Sequence, residues 1–483
     1  MNKYNWLTCA FVVVAALAMA SCGGGGGGTS STPPPTTTAG TGTDTPTGGG
    51  TGGPTTSGTG STGGTNTPAP TPSPSMAVNT EFEVSPVTID KADSHVARTP
   101  DGGFVVVWAA SSRFTGANSP EQGIFARSYA ADGTALGPEF RVSDGPLTGW
   151  SFYNPHVTTL ADGSIVAAWG ATDGNGYFAQ MRRFTANGQK GYGESRPSVR
   201  ATNIVRLGDG GYVRFEIALA PTFGVTSQEA IGQRYSAANA MVGEPFTVLP
   251  AGIRLQRFFV APTPDGGFAV SWAAYTSTES APLEWYVRRY AADAAPLGAP
   301  TLAATLTGVS GQRPVAADFT VLAQGNFAFG ALVDDFRNCT GGITASVMVA
   351  SPTGAPLGPF VAIDGEADVA KKACPTPSGY PVFNPNHRAL ALAPLDDGNF
   401  LASWVTETRL PGAVMVRRFS PSAQALGGVV VATAPRAFSN DYLAAAGTGN
   451  NGAVVTWSHV GDRPDSPETS LRAHLWSPST QLE

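Results

Sequence analysis

Apolar and polar positions along this chain recur in one short pattern. A tight Asp-Gly turn leads at once into an apolar run, as in Asp101-Gly102-Gly103 followed by Phe104-Val105-Val106-Val107-Trp108. The arrangement returns at Asp162, Asp209 and Asp265, and in weaker form at Gln324, Asp397 and Asn450. Successive spacings are 61, 47, 56, 59, 73 and 53 residues. Recurrence at such a period marks a repeat architecture. The Asp-Gly pair supplies the positive φ of a tight hairpin. Five copies carry a Trp seven residues after the first turn residue: Trp108, Trp169, Trp272, Trp404 and Trp457. Glu216 and Ala331 replace it in the other two.

Each copy predicts four strands. A short strand a precedes the turn, as in His95-Val96-Ala97-Arg98, and the apolar strand b follows it. Strand c carries a basic-aromatic pair, such as Arg183-Phe184, Arg234-Tyr235, Arg289-Tyr290 and Arg418-Phe419. The pair becomes Ser128-Tyr129 in the first copy and decays to Met348-Val349 and His474-Leu475 in the fifth and seventh. A Leu-Gly signal then precedes strand d, as at Leu136-Gly137 and Leu297-Gly298. Strand b is apolar on both faces, whereas a sheet with one wet face would alternate. Burial on both faces suits a blade packed between two neighbours.

These repeats predict an all-β fold, a seven-bladed β-propeller of four-stranded blades. The first repeat closes with GPEFRVS at 137–143, and NTEFEVS stands ahead of it at 79–85. The last repeat reaches 471–475 without a closing strand of its own. The expectation is a ring closed by the N-terminal strand 79–85, which hides the edges an open sheet would expose. A pair of stacked β-sandwiches is the competing fold, and it gives no reason for this exchange of ends.

Composition divides the chain of 483 residues into 1–21, 22–78 and 79–483. Residues 1–21 open with Lys3 and continue as a short apolar stretch with a small-residue exit, the pattern of a signal peptide rather than a spanning helix. Met19-Ala20-Ser21-Cys22 resembles a bacterial lipobox, with Met19 where Leu is usual. That resemblance implies an acylated Cys22, a lipid-bilayer partner and, with no Asp after Cys22, delivery to an outer membrane. Residues 22–78 are rich in Gly, Thr, Ser and Pro and predict a disordered tether. As a flexible coil it reaches roughly 40 Å. The net charge of −6, without a basic stripe, argues against nucleic acid. Cys339 and Cys374 remain beyond the signal and, in an exported chain, read as a disulfide.

The run PDGGFVVVW…GIFARSYAADGTALGPEFRVS in 100–143 is similar to a repeat common in large exported bacterial proteins. The resemblance covers 79–483, is good in repeats one and four and poor in five and seven, and implies propeller blades and an exported setting. It implies no catalytic residues.

Candidate chemistry follows from topology. The a–b and c–d turns fall on one face of a ring, and the longer b–c and d–a connections fall on the other. Long loops on a rigid scaffold are where binding concentrates. Six residues before the turns stand His95, His156, Asn203 and Asp318, a candidate polar ring at the channel mouth. Two His and a carboxylate are zinc-ligand types, yet their separate blades give no ligand spacing, so neither a metal nor another cofactor is assigned. The alternative for this ring is hydrogen bonding to water or neighbouring backbone. The loop aromatics Trp150, Tyr153, Phe336 and Tyr380 are candidate ligand contacts, whereas the strand b Trp residues suit blade packing. The strand c arginines Arg127, Arg182, Arg288 and Arg417 suit pairing at the blade rim.

No nucleophile elbow, His-Glu-x-x-His or phosphate-cradling loop is present. The expectation is a monomeric binding module for an envelope or extracellular glycan or protein. The alternatives are a carbohydrate-active hydrolase or lyase, with acids near Asp318 or Glu216, and an envelope scaffold that binds nothing.

Overall fold

The computed structural model describes residues 81–85, 91–110, 122–144, 149–197, 199–219, 228–275, 282–306, 312–335, 343–363, 390–406, 413–433, 440–460 and 469–476. They form seven four-stranded antiparallel blades arranged in a ring, a seven-bladed β-propeller. Blade 1 comprises strand a (Lys91–Arg98), b (Phe104–Ala110), c (Gly123–Tyr129) and a two-residue d (Phe140–Arg141). Its strand b is buried along its whole length, as apolarity on both faces requires. At its a–b turn Gly102 takes φ 87, and its N–H donates to the Thr99 carbonyl at 3.0 Å.

Closure occurs where the displaced GPEFRVS-like segment places it. Glu81–Ser85 pairs antiparallel with Thr469–Trp476 as the outermost strand of blade 7, beside Ala453–Val460 and Asn440–Gly447. Val84 and Phe82 are buried in the cluster shared by blades 7 and 1. Arg472 ion-pairs with Glu81 at 3.1 Å. Arg127 of blade 1 donates to the Val84 carbonyl at 3.1 Å, and the Tyr129 hydroxyl donates to the same oxygen at 3.3 Å. On the short-turn face the Gly449 N–H donates to the Gly102 carbonyl at 2.7 Å. A Cβ on Gly449 would stand 3.2 Å from the Gly102 Cα, so a side chain there would push on the backbone where the first and last blades meet.

The core is distributed. Among the described residues seven apolar clusters form, one between each pair of adjacent blades. Trp108, Trp169, Trp272, Trp404 and Trp457 are all buried in these interfaces. Blade 5 has Ala331 at the Trp position, and Trp285 of blade 4 packs into the same cluster. Its indole N–H donates to the Ser271 hydroxyl at 2.8 Å, so a large ring still fills that layer from the other side.

Register corrects two sequence assignments. In blade 1 the first residue of strand b faces the strand c aromatic, Phe104 opposite Tyr129. The equivalent partners are Ala350 for Phe327 and Trp476 for Ala453. The degenerate pairs of blades 5 and 7 are therefore Val349-Ala350 and Leu475-Trp476, one residue later than the sequence suggested. Blades 3 and 4 differ in another way. They share one 22-residue strand, Met241–Pro262, whose first part is strand d of blade 3 and whose last part is strand a of blade 4. The chain passes between blades through Gly252 at φ 104 instead of leaving the sheet through a loop.

Candidate functional site

Strand a is the innermost strand of each blade, so one of its edges has no strand partner and its backbone groups need other partners. The inner strands enclose a central channel of about 540 Å³. His95, His156, Asn203 and Asp318 all line it. Each lies on a different strand a: Lys91–Arg98, Ser151–Thr159, Val199–Arg206 and Gln312–Val321.

Three of the four reach across to the next blade. His95 Nδ1 accepts from the Val157 N–H at 3.4 Å, Asn203 Nδ2 donates to the Phe258 carbonyl at 3.1 Å, and Asp318 accepts from the Leu392 N–H at 2.7 Å. Asp318 also accepts from the Phe319 N–H at 2.8 Å. These bonds occupy backbone groups that ladder pairing leaves over on the inner strands. The rings of His95 and His156 lie 4.8 Å apart. No group of three metal-ligating side chains is present among the described residues.

Burial sets the charges of this ring. It lowers the His95 pKa to about 4, and it lowers that of His156 as well, with the His95 charge adding to the effect. Burial raises the Asp318 carboxyl to about 7, against the two backbone hydrogen bonds that favour its anion. At neutral pH both imidazoles are uncharged and Asp318 titrates.

An unfolded Asp titrates near 3.9, so the raised folded value contributes stability that is full below about pH 4. That stability is lost as pH rises to about 7. The two histidines act oppositely, and their contribution is full above about pH 6.5 and lost on acidification. We therefore expect Asp318→Asn to gain stability relative to the parent between pH 4.5 and 8, by up to about 3 kcal/mol. Urea midpoints across that range measure it, and a parent-to-variant difference that stays flat with pH would show that Asp318 is an ordinary carboxylate.

Trp150 packs at a tilt against Phe178 at 4.9 Å and stacks at 6.5 Å on Phe152, so it folds its segment onto blade 2 while staying partly exposed. Tyr153 covers Gly170, where a Cβ would come within 2.2 Å of its ring. Tyr177 and Tyr192 add exposed aromatic surface to this blade. Phe336, Tyr380, Cys22, Cys339 and Cys374 lie outside the described residues, as do most of the long loops.

The repeated basic residues hold the blades. Arg183, Arg234, Arg289 and Arg418 ion-pair with the turn carboxylates Asp162, Asp209, Asp265 and Asp397 of their own blades. Arg127, Arg288 and Arg417 donate through Nε to the carbonyls of Gly137, Gly298 and Gly427 at 3.1, 2.8 and 3.0 Å. Arg182 pairs with Asp144 at 2.7 Å.

One cluster was not foreseen. Arg214, fully buried on strand b of blade 3 (Tyr212–Leu219), lies between Glu194 at 3.4 Å and Glu216 at 3.1 Å. It also donates to the Ala179 carbonyl at 3.1 Å, and the Tyr235 hydroxyl donates to Glu194 at 2.7 Å. Glu216 stands where five other blades have Trp. The visible signal was two charges, Arg214 and Glu216, within a strand whose counterparts are apolar.

No family model and no curated protein matches this chain. Solved structures do resemble it in fold. One is a protein of unknown function from Dyadobacter fermentans, 12% identical, covering 82% of this chain and 99% of its own, with a TM-score of 0.45. A polysaccharide lyase is 10% identical, covering 81% and 90%, with a TM-score of 0.47. An alpha-L-arabinofuranosidase from Fusarium graminearum is 7% identical, covering 68% and 94%, with a TM-score of 0.44.

Proposed function

We propose that this protein is an exported propeller lipoprotein, held at the outer membrane through acylated Cys22, that binds an envelope or extracellular glycan or protein on its long-loop face. It acts as a monomer and does not use nucleic acid. The observation that supports binding over catalysis is the engagement of both candidate acids. Asp318 spends its oxygens on the Phe319 and Leu392 N–H groups, and Glu216 is ion-paired to buried Arg214. Glycoside hydrolysis needs two carboxylates placed across a scissile bond, and these two serve the inner strands and a blade interface instead. The partly exposed Trp150 and exposed Tyr177 supply aromatic surface of the kind that stacks on sugars.

One experiment tests both parts. The full chain and a Cys22→Ser variant are expressed with an alkynyl fatty acid, then applied to a glycan and envelope-protein array with reducing-sugar release measured on each hit. Fatty-acid label that disappears in the variant, with binding but no turnover, is the expected result. Equal label in Cys22→Ser would refute the anchor. Turnover abolished by Asp318→Asn or Glu216→Gln would make the protein a carbohydrate-active enzyme, and no binding to any surface would leave a scaffold.

A further inference from the structure

The central channel also has an end on the short-turn face, where the inner strands finish. Two of its lining residues there are cationic, Arg98 at the end of Lys91–Arg98 and Arg206 at the end of Val199–Arg206. Asp396, in the a–b turn segment of blade 6, is the one carboxylate at this end among the described lining residues. Asp318 lies three residues back along its own strand from the matching level, about 10 Å away at the usual strand rise.

Asp396 is spent on Arg98. The two groups pair bidentately, Nη1 with Oδ1 and Nη2 with Oδ2, the second contact at 3.3 Å. Arg206 makes no ion pair or hydrogen bond among the described residues. The residue is exposed, and it is one of those that line the channel. Burial lowers its pKa, and the charge of Arg98 lowers it further, so the two guanidinium groups lie within each other's field. Two cations and one carboxylate leave a single uncompensated positive charge at the rim of a partly desolvated cavity. A charge so placed stays open to a counter-ion from solvent, and the low-dielectric wall beside it strengthens that attraction relative to open water.

We infer that this short-turn mouth is an anion site, with Arg206 as the principal donor and Arg98 beside it, taking a sugar-sized organic monocarboxylate. The planar guanidinium fork matches a carboxylate with two parallel hydrogen bonds, and the Arg98–Asp396 pair already displays that match at the same rim. One net charge suits a monoanion better than a phosphate dianion. The channel volume of about 540 Å³ lies in the range of small-molecule sites. The site stands apart from the long-loop face and does not depend on what binds there.

The test is titration calorimetry and thermal unfolding of the full chain with glucuronate, glucose and inorganic phosphate as probes, repeated with Arg206→Gln. Arg206 has no partner to lose, so this variant is expected to fold and unfold like the parent. Glucuronate is expected to bind and raise the unfolding midpoint, less so at high salt, and to lose at least tenfold in affinity in Arg206→Gln. Glucose is expected to do nothing. Absence of glucuronate binding, equal binding to Arg206→Gln, or phosphate binding as tight as glucuronate each overturns the assignment. Should Arg206→Gln fold poorly, Arg206→Lys serves in its place: it keeps the charge but removes the fork, and unchanged glucuronate affinity would overturn it too.

Discussion

Arg214→Ala is expected to lower the unfolding free energy by about 3–5 kcal/mol, the cost of breaking a buried ion pair from one side. Arg214 is wholly inaccessible and is the cation shared by Glu194 and Glu216. Removing it takes from two carboxylates in the blade 2–blade 3 interface the buried cation that they share. The apolar cluster at that interface is small and contains two tyrosines, Tyr212 and Tyr235, whose hydroxyls already serve Asn239 and Glu194. Little apolar packing is available to absorb the loss. The double variant Arg214→Val with Glu216→Trp restores the residue types of the other blades and is expected to recover more than half of the deficit. Replacing a buried ion pair by well-packed apolar groups is often neutral or stabilising. Urea unfolding of the three proteins measures both effects. A single variant within about 1 kcal/mol of the parent would mean that the cluster is well solvated and contributes little.

Deleting residues 79–90 is expected to be comparably severe. The deletion removes the outer strand of blade 7 and takes Phe82 and Val84 from the cluster that joins the last blade to the first. At about 1.5–3 kcal/mol for each large apolar side chain, burial alone amounts to roughly 3–6 kcal/mol. The Glu81–Arg472 ion pair and two hydrogen bonds to the Val84 carbonyl go with it. A domain is stable by only about 5–15 kcal/mol, so the loss is a large share of the whole. Thr469–Trp476 would then become an exposed edge, and such edges recruit other chains. Earlier thermal unfolding and concentration-dependent aggregation are the expected readouts. A truncated protein that melts with the parent and stays monodisperse would mean that closure does not hold the ring.

Ring, blade count and closure were all legible in the chain, because each rests on local chemistry repeated often enough to average out its exceptions. An Asp-Gly turn needs positive φ wherever it occurs, and a strand apolar on both faces needs two covers. A closing-strand motif that stands ahead of the first repeat is free to complete the last one, and Glu81–Ser85 does so. The same repetition misled where the repeats are degenerate. In blades 5 and 7 the basic-aromatic pair has decayed, and alignment by residue type slipped one position. Backbone pairing set the register there, with Ala350 and Trp476 opposite the first residues of strand b.

The residues of the channel are a different case. Position along strand a placed His95, His156, Asn203 and Asp318 around one axis, and the sequence allowed either ligand contact or hydrogen bonding to neighbouring backbone. Tertiary structure assigned partners to three of them, because the inner edge of a ring of sheets leaves backbone groups unpaired and a neighbouring blade brings side chains within reach. It also brought Glu194 of blade 2 against Arg214 of blade 3 and put Arg206 within the field of Arg98, with no carboxylate partner among the described residues. Those residues lie 20 and 108 positions apart in the chain. Periodicity reports which residues share a face of one blade, since that depends on strand geometry alone. Which charges meet across blades depends on ring closure, and desolvation there decides whether a His, Asp or Arg keeps its ordinary charge.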